Sequence, residues 1–234
     1  LMKNKLLLFL FMFLMFSFAH AEQFTFKTRV IEITDNGNLV TASDGQAISQ
    51  DKNLIIEADN FIYNKELDIL EAFKRGNVLI KSENIRIRFD NLKVDQKNLI
   101  IQATGNVKIY EDNKNFLIET DSITLDKKSN ILRSSSESIL KDNFKNIVKT
   151  SEFNYDITKN ILKLLNADIL DKAGNSYSIQ SAFINTKSNK LFGKDVSVEL
   201  GKKSFNNNSN PRFKGKTITY DTFSTEINKG VFTT

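Results

Sequence analysis

Apolar and polar side chains alternate along most of this chain. The alternation is clear in residues 84–89, 106–110 and 195–200, where every second residue is apolar. A period of two, bounded by turn-forming residues, is typical of a half-buried strand. Clusters of Asn, Asp, Lys and Gly separate these stretches, and residues 22–234 carry no convincing helical stripe. The pattern therefore predicts an all-β chain with tight turns.

A unit of about thirty residues recurs along the chain. It is marked by an apolar-polar-apolar triplet, and a degenerate earlier copy near Val30 brings the number of units to about seven. Fixed periods of this length are typical of stacked supersecondary units that bury one continuous core. The triplets start 31, 31, 30, 30 and 35 residues apart, at Phe61-Ile62-Tyr63, Leu92-Lys93-Val94, Ile123-Thr124-Leu125, Phe153-Asn154-Tyr155, Phe183-Ile184-Asn185 and Ile218-Thr219-Tyr220.

Each unit is predicted to contain a strand, a tight turn, a second strand and a corner. Corners are expected at Gly76-Asn77-Val78 and Gly105-Asn106-Val107, because a glycine within a strand pattern indicates a bend or bulge. Successive side chains of a strand point to opposite faces, so the outer two positions of each triplet should face a shared interior. An ordinary dry core and a trough that holds lipid both need this inward stripe, and periodicity does not separate them.

The first 21 residues have the layout of an export signal. Lys3 and Lys5 precede an apolar run, and Ala19-His20-Ala21 is a small-x-small cleavage site. The apolar run is too short for a bilayer span, which needs roughly twenty residues. Residues 1–21 are therefore predicted to be removed, residues 22–234 to form the exported domain, and residues 204–211 to be an inserted polar loop.

The composition argues against catalysis and against nucleic-acid binding. The formal net charge of +5 falls to +3 without the two lysines of the signal, and no concentrated basic face is visible. There is no cysteine, and the one histidine, His20, lies in the signal. These absences remove the usual nucleophile-base pairs and zinc ligand sets, so no metal or cofactor is expected. The carboxylate pair Glu111-Asp112 falls in a predicted turn, where solvated charge is the expected role.

The motifs of the repeat, together with the export signal, resemble the OstA/LptA-like periplasmic β-jellyroll family of lipopolysaccharide transport. In that family an A-D-x-apolar segment followed by G-N-V recurs from rung to rung. Here Ala58-Asp59-Asn60-Phe61 is followed by Gly76-Asn77-Val78, and Ala103-Thr104-Gly105-Asn106-Val107 repeats the second motif. The final stretch, from Asn210-Pro211-Arg212 to Gly230-Val231-Phe232-Thr233-Thr234, resembles the end of the N-terminal domain in the LptD branch, the outer-membrane LPS-assembly proteins.

This resemblance implies a β-jellyroll, which is a folded-over antiparallel sheet built of about seven repeats. It also implies a non-enzymatic periplasmic domain that shields the acyl chains of lipopolysaccharide in an apolar groove and delivers them to the outer membrane. The side chains expected to line the groove are Phe61, Tyr63, Leu92, Val94, Ile123, Leu125, Phe153, Tyr155 and Phe183.

The resemblance implies two partners besides lipopolysaccharide. A homologous periplasmic jellyroll would add a strand to the N-terminal edge. An outer-membrane β-barrel would follow in the same full-length chain, of which this sequence would be a fragment. The alternatives are a free-standing LptA-like bridge protein and a structural or adhesive β-solenoid with a dry core. The expected edge residues are Phe24, Phe26, Val30, Ile31 and Ile33.

Overall fold

A computed structural model describes residues 24–111, 116–143, 145–201, 211–221 and 224–233. The predicted export signal, residues 1–21, and most of the predicted loop, residues 204–210, lie outside the described residues. Apart from one short 3-10 turn at Asp35–Gly37, the regular structure described is all β. The strands are β1 (Phe24–Thr34), β2 (Leu39–Ser49), β3 (Leu54–Asn64), β4 (Ile69–Ile80), β5 (Ile85–Asp95), β6 (Ile100–Glu111), β7 (Phe116–Asp126), β8 (Ile131–Ser134), β9 (Ser138–Asp142), β10 (Ile147–Thr150), β11 (Glu152–Asp156), β12 (Ile161–Leu170), β13 (Ser176–Asn185), β14 (Lys190–Glu199), β15 (Arg212–Tyr220), β16 (Thr225–Asn228) and β17 (Val231–Thr233).

The strands form one antiparallel sheet in which each crossing of the chain pairs with the next. Three crossings are divided into two short strands each: β8 with β9, β10 with β11, and β16 with β17. The 17 strands therefore make 14 rungs, numbered here in chain order, and two rungs correspond to one sequence repeat. The predicted all-β fold of about seven units is confirmed.

Every long strand bends near its middle, and the bends divide the sheet into two half-sheets. The first half-sheet contains Phe24–Thr28 of β1 and Leu54–Ala58 of β3, and the second contains the other ends of the same strands. Register shifts mark the bends of β3 to β6, and Gly76 and Gly105 lie there as predicted. Residues with positive φ occupy the same line of corners: Asp44, Lys74, Arg75, Gly105, Asn106, Asn166 and Asp195.

The corner reverses the alternation of side chains, which lets both half-sheets face one interior. In β5, Ile87 and Phe89 are buried before the bend and Leu92 after it, while Asp90 and Asn91 between them point outward. A strict period of two would have turned Leu92 to solvent. Two consecutive outward residues at the corner restore the apolar face, so the sheet closes on itself around a single core.

The turns at the ends of the second half-sheet repeat one hydrogen-bonding pattern. An Asn or Asp closes the strand and its side chain accepts from backbone N–H groups two or three residues later, as Asp95 does from Asn98 at 2.9 Å. Hydrogen bonds from Asn98 also lower the pKa of Asp95. Each turn then donates to the preceding turn, for example from Lys127 N to Leu99 O at 2.9 Å. The ladder of the sheet thus continues through its turns.

One of these turns has an unfavourable residue at its left-handed position. Leu99 has φ +57°, and the equivalent sites hold Asp68, Asn130, Asn160 and Asn189. The left-handed conformation costs roughly 1–2 kcal/mol for most L-residues, and Asn tolerates it best after Gly. Leu99→Asn is expected to raise the free energy of unfolding by about 1 kcal/mol and Tm by roughly 2–4 °C in thermal denaturation. Asn189→Leu, the reverse change at an exposed turn, should lower Tm by a similar amount. Equal Tm values for all three chains would contradict this.

Candidate functional site: a staggered apolar interior

The interior between the half-sheets is an unbroken stack of apolar side chains. Ile56, Leu70, Ile87 and Ile101 are fully buried on successive rungs, and aliphatic side chains continue the stack to Ile218 on rung 13. The structure places eight of the nine predicted groove residues in this interior, each almost fully buried: Phe61, Tyr63, Leu92, Val94, Ile123, Leu125, Phe153 and Tyr155.

Phe183 does not lie in the interior, so the prediction of which residues of this triplet face inward was wrong by one position. The residues of β13 that face the core are Ala182, which is fully buried, and Ile184, which packs against it. Phe183 points outward, where the Nζ atom of Lys163 lies 5.9 Å from the centre of its ring. The first inward position of the triplet is held by the small residue Ala182. The prediction selected Phe183 instead because this large aromatic residue lies next to it in the sequence.

The two half-sheets face each other out of step. Phe24 and Phe26 lie on rung 1 of the first half-sheet, yet they contact Tyr63 and Phe61 on rung 3 of the second, with ring centroids 5.4 and 5.9 Å apart. Phe116 on rung 7 similarly meets Tyr155 on rung 9 at 6.0 Å. Each rung of the first half-sheet therefore covers the rung two places later in the second, as expected of a twisted sheet that folds over.

The stagger exposes a different half-sheet at each end of the stack. At the N-terminal end Ile31 and Ile33 pair with the buried Ala42 and Val40, yet they are 52% and 56% exposed because no residue of the described ranges faces them. At the other end Phe232 is 50% exposed beside Phe213. Among the described residues β1 pairs only with β2, so its other edge carries backbone groups without a partner strand.

The predicted edge residues divide into two sets. Val30, Ile31 and Ile33 are exposed on β1. Phe24 is buried and Phe26 half-buried, because both fold over the rings of Phe61 and Tyr63. Their backbone lies on the open edge, but their side chains close the interior.

On the side opposite the corners the two half-sheets meet without strand pairing, and this line of contact is called the slit. Polar contacts join its two sides near the middle. The hydroxyl of Tyr155 donates to Glu111 Oε2 at 3.2 Å across the slit, and the Phe116 ring packs edge-on against Tyr155. Glu111 was expected to lie in a solvated turn. It instead ends β6 with its side chain buried, because the stagger brings Tyr155 over it.

Buried hydroxyl groups mark the place where two successive rungs are broken. Thr120 Oγ1 lies 3.0 Å from both Ser134 Oγ and Ser138 Oγ, at the interruption between β8 and β9. Thr150, at the interruption of the next rung, donates to the carbonyl of Leu165 at 2.7 Å. The sequence analysis missed these residues. Their signal is the run from Ser134 to Ser138, which interrupts the alternation where a corner is due.

The described part of the chain contains no group of three His, Cys, Asp or Glu side chains placed to hold a metal ion. A surface cavity of about 530 Å³ lies outside the core at the corner and mixes Lys74, Arg75 and Lys93 with Glu71 and Asp90. No helix among the described residues is long and apolar enough to cross a bilayer.

Among known proteins, the similarities found are to solved structures, of which twelve chains match. No protein-family model matches the chain, and the curated proteins contain no match. One of the solved structures is LptH, the LptA-homologous periplasmic component of the lipopolysaccharide transport device of Pseudomonas aeruginosa. It is 18% identical, with a TM-score of 0.42, over 47% of this chain and 81% of that one. The similarity thus spans less than half of this chain.

Proposed function

We infer that this chain is a periplasmic carrier domain for lipopolysaccharide, which shields acyl chains between its half-sheets. The observation that carries this proposal is the apolar interior, which continues over almost all of the 14 rungs. Along the slit, side chains cover this interior, and no described strand pairs across it. The repeated A-D-x-apolar and G-N-V motifs support the same assignment, because they resemble those of the OstA/LptA-like family.

The physical need for such an interior is large. Burial of one methylene group contributes about 0.8 kcal/mol, so an exposed chain of about twelve carbons costs on the order of 8–10 kcal/mol in water. A carrier that crosses an aqueous compartment must offer apolar surface along its whole length. The proposed lining residues are Phe61, Tyr63, Leu92, Val94, Ile123, Leu125, Phe153 and Tyr155, with Ala182 and Ile184 in place of Phe183.

The ends of the stack support the proposed partners. The open edge of β1, with Ile31 and Ile33 exposed beside it, suits the addition of a strand from a homologous periplasmic jellyroll. The resemblance of the last residues to the LptD branch leads us to place this chain before an outer-membrane barrel in a longer protein. A free-standing LptA-like bridge protein uses the same interior and the same edges.

A second candidate function follows from the fact that the protein's own side chains fill the interior. From β3 to β11 the side chains at the slit are nearly all fully buried, as in the dry core of a structural or adhesive solenoid. A carrier must separate its half-sheets there to admit a lipid, whereas a structural protein needs no such movement. Lipid binding therefore distinguishes the two functions.

The test is binding of purified lipopolysaccharide to the full chain, followed by native mass spectrometry. The matched control is the same lipopolysaccharide after removal of its acyl chains. A carrier is expected to bind the acylated form and to lose at least about tenfold in affinity for the deacylated form, since a few buried methylene groups already account for that ratio. Equal binding of both forms would place the interaction on the sugar and outside the interior. Binding of neither would favour the structural solenoid.

A further inference from the structure

The slit is closed along one part of the sheet and half-open along another. In β3 to β5 the inward side chains nearest the slit, such as Leu54, Leu70 and Val94, are fully buried. In β12 to β15 most of the equivalent side chains are less buried, although Leu162 and Val198 remain buried like the neighbours at the corner. The partly buried set is Ile169, Tyr177, Ile184, Leu191 and Phe213, and Tyr220 is exposed.

This opening is not a frayed end of the sheet. By the stagger of two rungs, Ile184 on rung 11 faces Val148 on rung 9, and Leu191 on rung 12 faces Ile169 on rung 10. Both half-sheets are thus present on the two sides of the slit, and β12, β13 and β14 each pair with a strand on either side. The side chains nearest the slit are more exposed here, while the corner stays packed around Ala167, Ile179 and Ala182.

We propose that this segment, between β12 and β15, is the portal through which acyl chains enter or leave the interior. The inference rests on the proposed carrier function and locates the entry and exit of acyl chains at these strands. Its occupant is an acyl chain of an anionic amphiphile, with the chain inserted between Ile169 and Leu191 and the headgroup left at the rim.

The backbone of the portal favours an acyl chain over a polypeptide strand. All strands that border it already pair on both sides, so no free backbone edge is offered to a strand in the slit. An inserted polypeptide would bring its own amide groups into an apolar gap, where they would lose their hydrogen bonds to water without gaining partners. An acyl chain carries no such groups.

The charges at the rim favour an anionic headgroup. Lys187 and Lys190 are exposed on one lip, in and beside the turn between β13 and β14, and Lys172 is exposed on the other. Three carboxylates also lie at this rim: Asp171 accepts hydrogen bonds from Ala173 N, Asn175 N and the hydroxyl of Tyr177, Glu199 pairs with Arg212, and Asp221 accepts from Ser224 N. Burial, followed by the charge of Asp171, raises the pKa of Tyr177 to about 12, so this hydroxyl stays neutral and adds no repulsion toward an anion.

The absence of cysteine from the sequence allows a direct test with single-cysteine variants of the full chain. Ile184→Cys and Leu191→Cys place a thiol in the portal. Leu70→Cys and Val94→Cys place one at matched positions in the closed segment, and Phe192→Cys places one on the outer face beside Leu191. The measurement is the rate of modification by a small water-soluble methanethiosulfonate, with and without dodecyl phosphate below its micellar concentration.

The portal thiols are expected to react at least about tenfold faster than the closed-segment thiols, because modification of a sealed site waits for local opening. Dodecyl phosphate should slow the portal thiols and leave Phe192→Cys unchanged. Equal rates at Leu70→Cys and Leu191→Cys would overturn the portal, even if lipopolysaccharide binds by its acyl chains. Equal protection of Phe192→Cys would also overturn it, since the amphiphile would then coat the surface. Protection that rises with protein concentration alone would identify a second copy as the occupant, against the proposal.

Discussion

Phe61→Ala is expected to lower the free energy of unfolding by about 3–5 kcal/mol, a large part of the stability of an ordinary domain. Phe61 is 1% exposed and packs edge-on against Phe26 of the opposite half-sheet. Its removal leaves a cavity beside β3, whose backbone is fixed by pairing with β2 on one side and β4 on the other, so the site cannot fully collapse. Urea denaturation followed by circular dichroism measures the change through the transition midpoint.

The matched control for Phe61→Ala is Phe192→Ala. Phe192 is the same residue type, also lies in a strand of the second half-sheet, and is 40% exposed on its outer face. Its truncation should change the free energy of unfolding by no more than about 0.5 kcal/mol, as at other surface sites. Similar losses in the two variants would mean that the interior is not the main source of stability.

Gly45→Ala is expected to detach the first half of β1 from the sheet. A Cβ atom on Gly45 would lie 2.2 Å from the carbonyl oxygen of Lys27 and 2.6 Å from the Cα atom of Thr28. Both are backbone atoms of the paired strand, so the clash is relieved only when β1 moves away. Hydrogen exchange of the amides in residues 24–28 should accelerate by at least about tenfold, while exchange in β5 and β6 is unchanged.

Gly174→Ala separates this clash from the general effect of an added methyl group. Gly174 has φ +85°, and a Cβ atom there meets nothing within 4 Å. The substitution should cost only the roughly 1 kcal/mol of an unfavourable backbone conformation. Its effect on exchange should be confined to the turn between β12 and β13. Undisturbed protection of β1 in Gly45→Ala would show that the strand accommodates the methyl group.

The sequence predicts this fold well because the features that define each repeat depend on residues that are close in the chain. Strand alternation, turn residues and corner glycines each depend on neighbours a few residues away or one repeat away. The inward residues of the fifth triplet could also have been predicted correctly from the sequence. In the four earlier triplets the third residue faces inward and directly precedes the Asn or Asp of the turn, as Val94 precedes Asp95 and Leu125 precedes Asp126. The same rule applied to Asn185 selects Ile184 instead of Phe183.

The stagger and the portal depend on contacts that no local pattern encodes. The pairing of strands sets the order of the rungs, but the twist of the whole sheet sets which rung faces which across the interior. Glu111 illustrates the difference. Its sequence neighbourhood predicts a solvated turn, and its burial follows only from the position of Tyr155, 44 residues later in the chain.

The offset between the half-sheets makes the two ends of the described sheet unlike and mutually complementary. The second half-sheet projects at the end that carries Ile31 and Ile33, and the first projects at the end that carries Phe232. Two copies, or two related domains, joined in head-to-tail order continue each half-sheet with the same half-sheet of the next module, whereas a contact between like ends continues it with the opposite half. A row of such modules therefore has a built-in polarity, and a substrate moving along it would meet one continuous apolar track with a defined direction.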